Sequence, residues 1–357
     1  MPPPTITSVH LIGSIPLANT SEVLRTVSST LPNRLRRIPD GETGERHYFT
    51  RWQAPKIGQW PVLVNSLCRG LMGLETELPS FTEDEKGRVL GEMEEKLETG
   101  YDDVALESWE VFKQLKAEGV IGRDVRFLVA LPTPLTVTAL HCRREFQVGF
   151  ERVYEGALLR ALRRVMDVVP AGELAVQWDC PFEMGIIEGV ESKGRDVGKW
   201  WEEGTVDGVV ERLKGLCEAV EEGVEVGVHL CYGDMQGKHF VEPKDTGAMV
   251  DVATRFLEHC RGSIDYIHLP VPRDRKDDRY FEPLKGLLPY VQDGHELCLG
   301  LVHLEDLEGT KERIQAAGKV VPAFSISSEC GLGRKSREQG LNILEIASLV
   351  SGNDSKG

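Results

Sequence analysis

Short apolar runs alternate with longer amphipathic stretches along this chain, and the alternation predicts an architecture. Apolar runs bounded by turn-forming residues fall at 8–13, 34–38, 125–131, 173–178, 224–230, 264–269, 296–302 and 320–324, and each predicts a strand. Between most of them, apolar positions recur at the helical period, over 20–29, 87–97, 102–118, 146–168, 206–222, 246–260, 306–316 and 336–350. Eight strands alternating with helices predict a single α/β domain, a (β/α)8 TIM barrel over residues 1–350. One connection is out of scale. Nearly ninety residues separate the second and third strands, and they include Trp52, Pro55, Trp60 and Pro61 ahead of two helical stretches. We expect 46–120 to be an insertion or crossover near the barrel mouth, where long connections form lids and walls. The polar tail 351–357 is expected to be disordered.

In such a barrel, chemistry collects where strands end at their C-terminal side. Several polar residues fall there: Ser14 after the first strand, Asp40 and Glu42 after the second, Asp179 and Cys180 after the fourth, His268 at the sixth and His303 at the seventh. The fifth strand ends in Val228-His229-Leu230-Cys231-Tyr232, and Cys330 follows the eighth. Residues two apart on a strand share a face, so His229 and Cys231 point the same way. One imidazole and two thiolates make three ligands of a zinc site, with the fourth position left for substrate.

Composition narrows the partners. Of 357 residues, 57 are acidic and 42 basic, a net charge of −15. That surface repels phosphate backbones and anionic membranes, so neither nucleic acid nor a membrane is an expected partner. No apolar stretch is long enough to span a bilayer, and the N-terminal residues lack the pattern of a signal peptide. Eight scattered cysteines read as reduced thiols, so the expected location is cytoplasmic. A homo-oligomer stays open. Nothing points to a nucleotide, flavin or cobalamin.

Six motifs carry a resemblance. They are Ile12-Gly13-Ser14-Ile15-Pro16, Asp40-Gly41-Glu42, Leu131-Pro132-Thr133-Pro134-Leu135-Thr136, Gln177-Trp178-Asp179-Cys180-Pro181, His229-Leu230-Cys231-Tyr232 and Cys330-Gly331-Leu332. In this order, each at an expected strand end, the chain resembles the catalytic barrel of cobalamin-independent methionine synthase. That barrel belongs to the superfamily holding uroporphyrinogen decarboxylase and the thiol-alkylating coenzyme M transferases. The resemblance implies a zinc ion that keeps a substrate thiol as thiolate for attack on an alkyl carbon. It also implies that Ile12, Ser14, Glu42 and Asp179 contact that small-molecule substrate.

The chain departs from the family at three points. The family's fourth ligand, a glutamate at the sixth strand, aligns with Pro270, which cannot bind metal. Three outcomes follow: zinc on His229, Cys231 and Cys330 alone, zinc with His268 added, or no zinc. Cys180 stands where the family has glutamate, as a silent pocket residue, a neighbouring thiol or a nucleophile. The 357 residues are expected to hold one barrel, without the family's additional N-terminal barrel that helps bind polyglutamylated folate. The expected donor is therefore smaller than methyl-folate.

His303 or Glu305 would move a proton at the seventh strand end, with Asp179 as a further catalytic candidate. Trp178, Tyr232, Trp52 and Trp60 would form an aromatic wall. Arg273 either grips an anionic substrate or belongs to an exposed loop of mixed charge. The first functional expectation is a zinc-dependent thiol alkyl- or methyltransferase. The alternative is a lyase, decarboxylase or isomerase on the same barrel without zinc-thiolate chemistry.

Overall fold

A computed structural model describes residues 3–190, 197–233, 239–260 and 264–352. Its centre is an eight-stranded parallel sheet: β1 (Thr5–His10), β2 (Arg37–Pro39), β3 (Arg126–Pro132), β4 (Leu174–Cys180), β5 (Glu225–Leu230), β6 (Tyr266–Pro270), β7 (Glu296–Val302) and β8 (Ala323–Ser328). The order across the sheet is β1-β8-β7-β6-β5-β4-β3-β2. Sequence neighbours lie side by side, as right-handed βαβ units wound in one direction produce. The sheet is curled in the manner of a TIM-like barrel, with helices outside. Backbone hydrogen bonds tie the two ends of the curl, from Val9 N–H to Arg34 O at 2.7 Å and from Ile15 N–H to Gly41 O at 2.8 Å. Every residue of β4, β6 and β7 is buried, the pattern of strands covered on both faces.

All eight expected strands are present, but three are displaced, β2 by its start alone, which falls at Arg37 and not at 34. β1 was expected at 8–13 and β8 at 320–324, and both observed strands differ by about three residues. The cause is a polar layer inside the curl. Thr7 and Ser8 of β1 hydrogen-bond Ser325 of β8, each at 2.7 Å, and Ser8 donates to Glu296 at 2.8 Å. Arg37 reaches Glu296 at 2.5 Å and Glu225 at 3.0 Å, and its guanidinium lies 3.8 Å from the Tyr266 ring centroid. A polar strand face turned inward gives no apolar run to read.

Between β2 and β3 the chain forms a kinked 3-10 segment, Gly44–Gln53, and helices Ala54–Ile57, Ser66–Leu71, Glu83–Lys96 and Tyr101–Ala117. The last packs Trp109 and Phe112 onto Phe127 of β3. The chain closes with helix Arg337–Ser351, which opens on a capping box of Ser336 and Gln339. Of the tail expected to be disordered, 353–357 lies outside the described residues. Among those described, no helix is long and apolar enough to cross a membrane.

Candidate metal centre

The site begins with strand register. Asp179, His229 and His268 are directly paired across β4, β5 and β6, so they lie in one row. Cys231 follows β5 by one residue, and Cys330 follows β8 by two. The Cys231 and Cys330 sulfurs are 3.8 Å apart, and one donor atom each from His229, Cys231 and Cys330 lies within 4.8 Å of the others. Two thiolates on one tetrahedral zinc, each with a bond of about 2.3 Å, sit about 3.8 Å apart.

Hydrogen bonding decides which nitrogen His229 offers. His268 Nε2 lies 3.2 Å from the carbonyl oxygen of Ser328, an acceptor only, so Nε2 carries the hydrogen. His268 Nδ1 is then an acceptor, and it faces His229 Nδ1 at 2.7 Å. His229 therefore donates from Nδ1 and keeps a lone pair on Nε2. That atom is buried and has no hydrogen-bond partner. A buried imidazole nitrogen with a free lone pair, beside two sulfurs at zinc spacing, fits the metal. His268, weighed from the sequence as a fourth ligand, is not in the cluster. Both of its ring nitrogens are occupied, and burial with neighbouring His229 and His10 holds it neutral.

The thiols are electrostatically unequal. The Cys330 thiol is held well below its usual range by a hydrogen bond from Cys231, with His229 and Arg334 assisting. Cys231 is pushed up by that same partner and by burial.

These residues open on a cavity of about 680 Å3, also lined by Ile12, Ser14, Glu42, Asp179 and Arg334. Its outer wall comes from the β2–β3 connection, through Tyr48, Phe49, Pro55, Leu71 and Met72, and from Phe182 and Phe240. The floor needs glycine at two positions. A Cβ at Gly331 would lie 2.4 Å from Ser14 Oγ, and one at Gly333 would lie 2.6 Å from His47 O. Their absence lets the turn after β8 close onto the turn after β1, where Gly333 N–H donates to Ser14 Oγ at 3.0 Å.

Two carboxyls face this cavity. Glu42 sits at φ +45°, a left-handed conformation fixed by its N–H donating to Asp40 Oδ1 at 2.8 Å. It touches the cavity space but is otherwise enclosed by protein. Burial, with Asp40 adding, pushes it up to about 8 against the opposing charges of Arg46 and Arg334. Burial and Glu42 likewise raise Asp179 well above the usual range, although Gln177 donates to it at 2.9 Å.

Several sequence-derived candidates lie elsewhere. Gln177 and Asp179 face inward, so strand alternation sends Trp178 and Cys180 toward the helices. Both are fully buried outside the cavity lining, and burial, with Glu183 and Asp179 adding, pushes the Cys180 thiol up. Tyr232 turns its hydroxyl to Glu188 at 3.1 Å, and Trp52 packs edge-on against Tyr101. Trp60 is buried away from the cavity. His303 is outside the lining too. Its Nε2 donates to Val271 O at 2.9 Å, and burial beside Arg313 lowers it to about 3, so it stays neutral. Glu305 is exposed. Arg273 is half-exposed and bonds Leu304 O at 3.0 Å. Arg334, Phe182 and Phe240 went unread in the sequence. Arg334 had a signal in its place four residues after Cys330.

No family model matches the chain, and no curated protein matches it. Among solved structures, neighbours are cobalamin-independent methionine synthase-like proteins. One is a B12-independent methionine synthase from Shewanella sp. W3-18-1 in complex with selenomethionine, 16% identical over 72% of this chain and 68% of that one, with a TM-score of 0.47. Another, from Listeria monocytogenes, is provisionally described as a vitamin-B12 independent methionine synthase. It is 13% identical over 99% of both chains, also with a TM-score of 0.47. The carboxyl transferase domain of Rhizobium etli pyruvate carboxylase is 12% identical over 98% of this chain and 53% of that one, at 0.36. Identities this low do not carry an activity from one chain to another.

Proposed function

We propose that this chain is a zinc-dependent enzyme that activates a small-molecule thiol and transfers an alkyl group to it. The observation that carries this reading is the His229 Nε2 lone pair, buried without a hydrogen bond beside the sulfurs of Cys231 and Cys330. When bound there, zinc supplies a positive centre that favours a substrate thiolate over its thiol at neutral pH. The remaining work falls to the chain's own groups. His229, Cys231 and Cys330 would hold the metal, with His268 orienting the His229 ring. Ser14 and the backbone of Ile12 would contact the substrate. Burial raises both Glu42, to about 8, and Asp179, and an incoming ammonium would favour their carboxylate forms and pair with them. The apolar outer wall would exclude water from the sulfur. With three protein ligands, Pro270 costs the site no donor that an open fourth position requires.

Metal analysis tests the reading. Purified protein should carry about one equivalent of zinc, lost in both C231S and C330S. Protein that stays metal-free after incubation with zinc would sink the reading, and would favour the lyase, decarboxylase or isomerase alternative.

A further inference from the structure

The cavity has two ends of different chemistry. Ser14, Glu42, Asp179 and the metal cluster make the inner end polar. The outer end is apolar, and its volume matters: about 680 Å3 in all lies within the range of about 300–1,000 Å3 that encloses drug-sized ligands, so there is room for more than a small thiol. Two observations say what the outer end takes. The first is uncovered apolar surface. Tyr48 is 55% exposed and Leu71 54%, and both line the cavity. Scattered exposed apolar side chains are ordinary, but two that converge on one apolar cavity mark a ligand surface. The wall beside them is held against strain. Phe49 lines the cavity at φ +54°, a left-handed conformation that a bulky side chain avoids. Anchors on both sides impose it. His47 Nε2 donates to Ile15 O at 3.2 Å, and Gln53 donates to Thr99 O and accepts from the Tyr154 hydroxyl, each at 3.0 Å. Strain maintained in this way collects at ligand sites. The second observation is charge. Arg51 lines the same cavity, exposed, with its guanidinium 5.6 Å from the Tyr48 ring centroid. Among the described residues no carboxylate pairs with it. The other arginine of the lining, Arg334, is engaged at the metal end, where its Nη2 lies 3.6 Å from Cys330 Sγ.

We propose that the outer end is a binding site for an aromatic organic acid, its apolar body against Tyr48, Phe49, Leu71 and Phe182 and its acid group on Arg51. Aromatic bodies pack offset or edge-on against tyrosine and phenylalanine, and the wall supplies several such rings, with Phe182 and Phe240 only 4.9 Å apart. Met72 adds a flexible apolar side chain that adapts to the shape of the body. A guanidinium with free N–H donors holds a carboxylate or sulfonate by paired hydrogen bonds. The same wall disfavours a polar ring. A ring edged with amide and amino groups, as in folates, would leave those groups unpaired against apolar side chains. The site stands beside the metal cluster and needs no metal for its own binding.

The probe is 8-anilinonaphthalene-1-sulfonate, with N-phenyl-1-naphthylamine, the same rings without the acid group, beside it. Binding to the full-length protein is followed by fluorescence, with stoichiometry from calorimetry. The sulfonate should occupy one saturable site per chain. R51Q should weaken it by about three- to fivefold and leave the uncharged amine unchanged. L71S should weaken both probes by about threefold or more. Both positions are exposed, so the circular-dichroism melts should match the parent's. Folic acid should displace neither probe. Absence of a saturable site, an R51Q effect on both probes or on neither, equal binding by L71S, or displacement by folic acid would each overturn the proposal. Should a substitution unfold the chain, the stoichiometry and the folic acid competition on the parent protein decide alone. No arm reads zinc, so the outcome is separate from the fate of the metal reading.

Discussion

The substitution H268F isolates the hydrogen bond that orients His229 in the proposed metal centre. His268 accepts from His229 Nδ1 at 2.7 Å and donates to Ser328 O at 3.2 Å. Phenylalanine fills the space and does neither. The His229 ring then loses the partner that forces its hydrogen onto Nδ1, and either tautomer becomes available. A buried N–H left without an acceptor costs about 1–3 kcal/mol, and part of that falls on the metal-bound state. Loss of a partner that orients a histidine ligand weakens metal binding by about 10–100-fold, which corresponds to about 1.4–2.7 kcal/mol. The two ranges overlap, so we expect a zinc dissociation constant raised about 10- to 100-fold in H268F. The assay is competition against a chromophoric chelator at fixed pH, with the thermal melt of the metal-free proteins compared in parallel. H268Q, which keeps a hydrogen-bonding group there, should lie between wild type and H268F. An unchanged dissociation constant would refute the tautomer argument. Complete loss of zinc, matching C231S, would refute it differently, by making His268 a ligand.

Three further outcomes follow from the structure. Glu296 is held down to about 2, against burial, by Arg37, Arg36 and Ser325, compared with an unperturbed 4.5. A depressed carboxyl stabilises the fold above its unfolded pKa and loses that contribution as pH falls from 4.5 toward 2, here about 3 kcal/mol. E296Q should therefore lower the urea midpoint at pH 7 by about 3 kcal/mol of stability, since buried Arg37 keeps only Glu225 as a charged partner, and should flatten the acid limb of the curve. Equal midpoints at pH 7 would contradict this. G333A drives a Cβ to 2.6 Å from the backbone oxygen of His47, so it should cost about 1–3 kcal/mol by urea denaturation. No loss of stability would mean that the two turns are free to separate. C180A should cost about 1–2 kcal/mol of stability and leave zinc content unchanged, because the thiol is buried outside the cavity lining; altered zinc content would place it in the site after all.

The sequence was most legible where apolar pattern and strand period agree. β4 to β7 are continuous buried runs and were read within about two residues. The His229–Cys231 spacing was legible because two residues is the period of a strand face. The same rule, applied to β4, would have separated Asp179 from Trp178 and Cys180. β1 and β8 slipped because their inward residues are serine, threonine and histidine, which satisfy one another across the sheet. The role of His268 was not legible, since it depends on which ring atom meets a carbonyl. That Leu71 and Leu140 line one cavity was invisible for another reason. Asn65 joins the connection before β3 to the one after it, and no periodicity records that junction.

The polar interior and the candidate metal centre obey one rule. Each depends on a chain of hydrogen bonds whose direction is fixed at one end by a group that cannot change roles. Arg37 can only donate, and its Nη1 lies 3.4 Å from His10 Nδ1, which therefore accepts. His10 must then carry its hydrogen on Nε2, which donates to Gln177 Oε1 at 2.8 Å. Burial and the Arg37 charge lower His10 to about 3, so it keeps this single neutral form. Gln177 is thereby oriented with its amide group free to donate to Ile12 O at 2.7 Å and to Asp179 Oδ1 at 2.9 Å. At the other chain the fixed end is an acceptor, the Ser328 carbonyl, and the order runs in reverse from His229 through His268. The first chain delivers a hydrogen to Asp179, and the second leaves a lone pair on His229 Nε2. Neighbouring residues of one strand row are thus addressed in opposite ways, each by a chain of hydrogen bonds that runs through a buried neutral histidine.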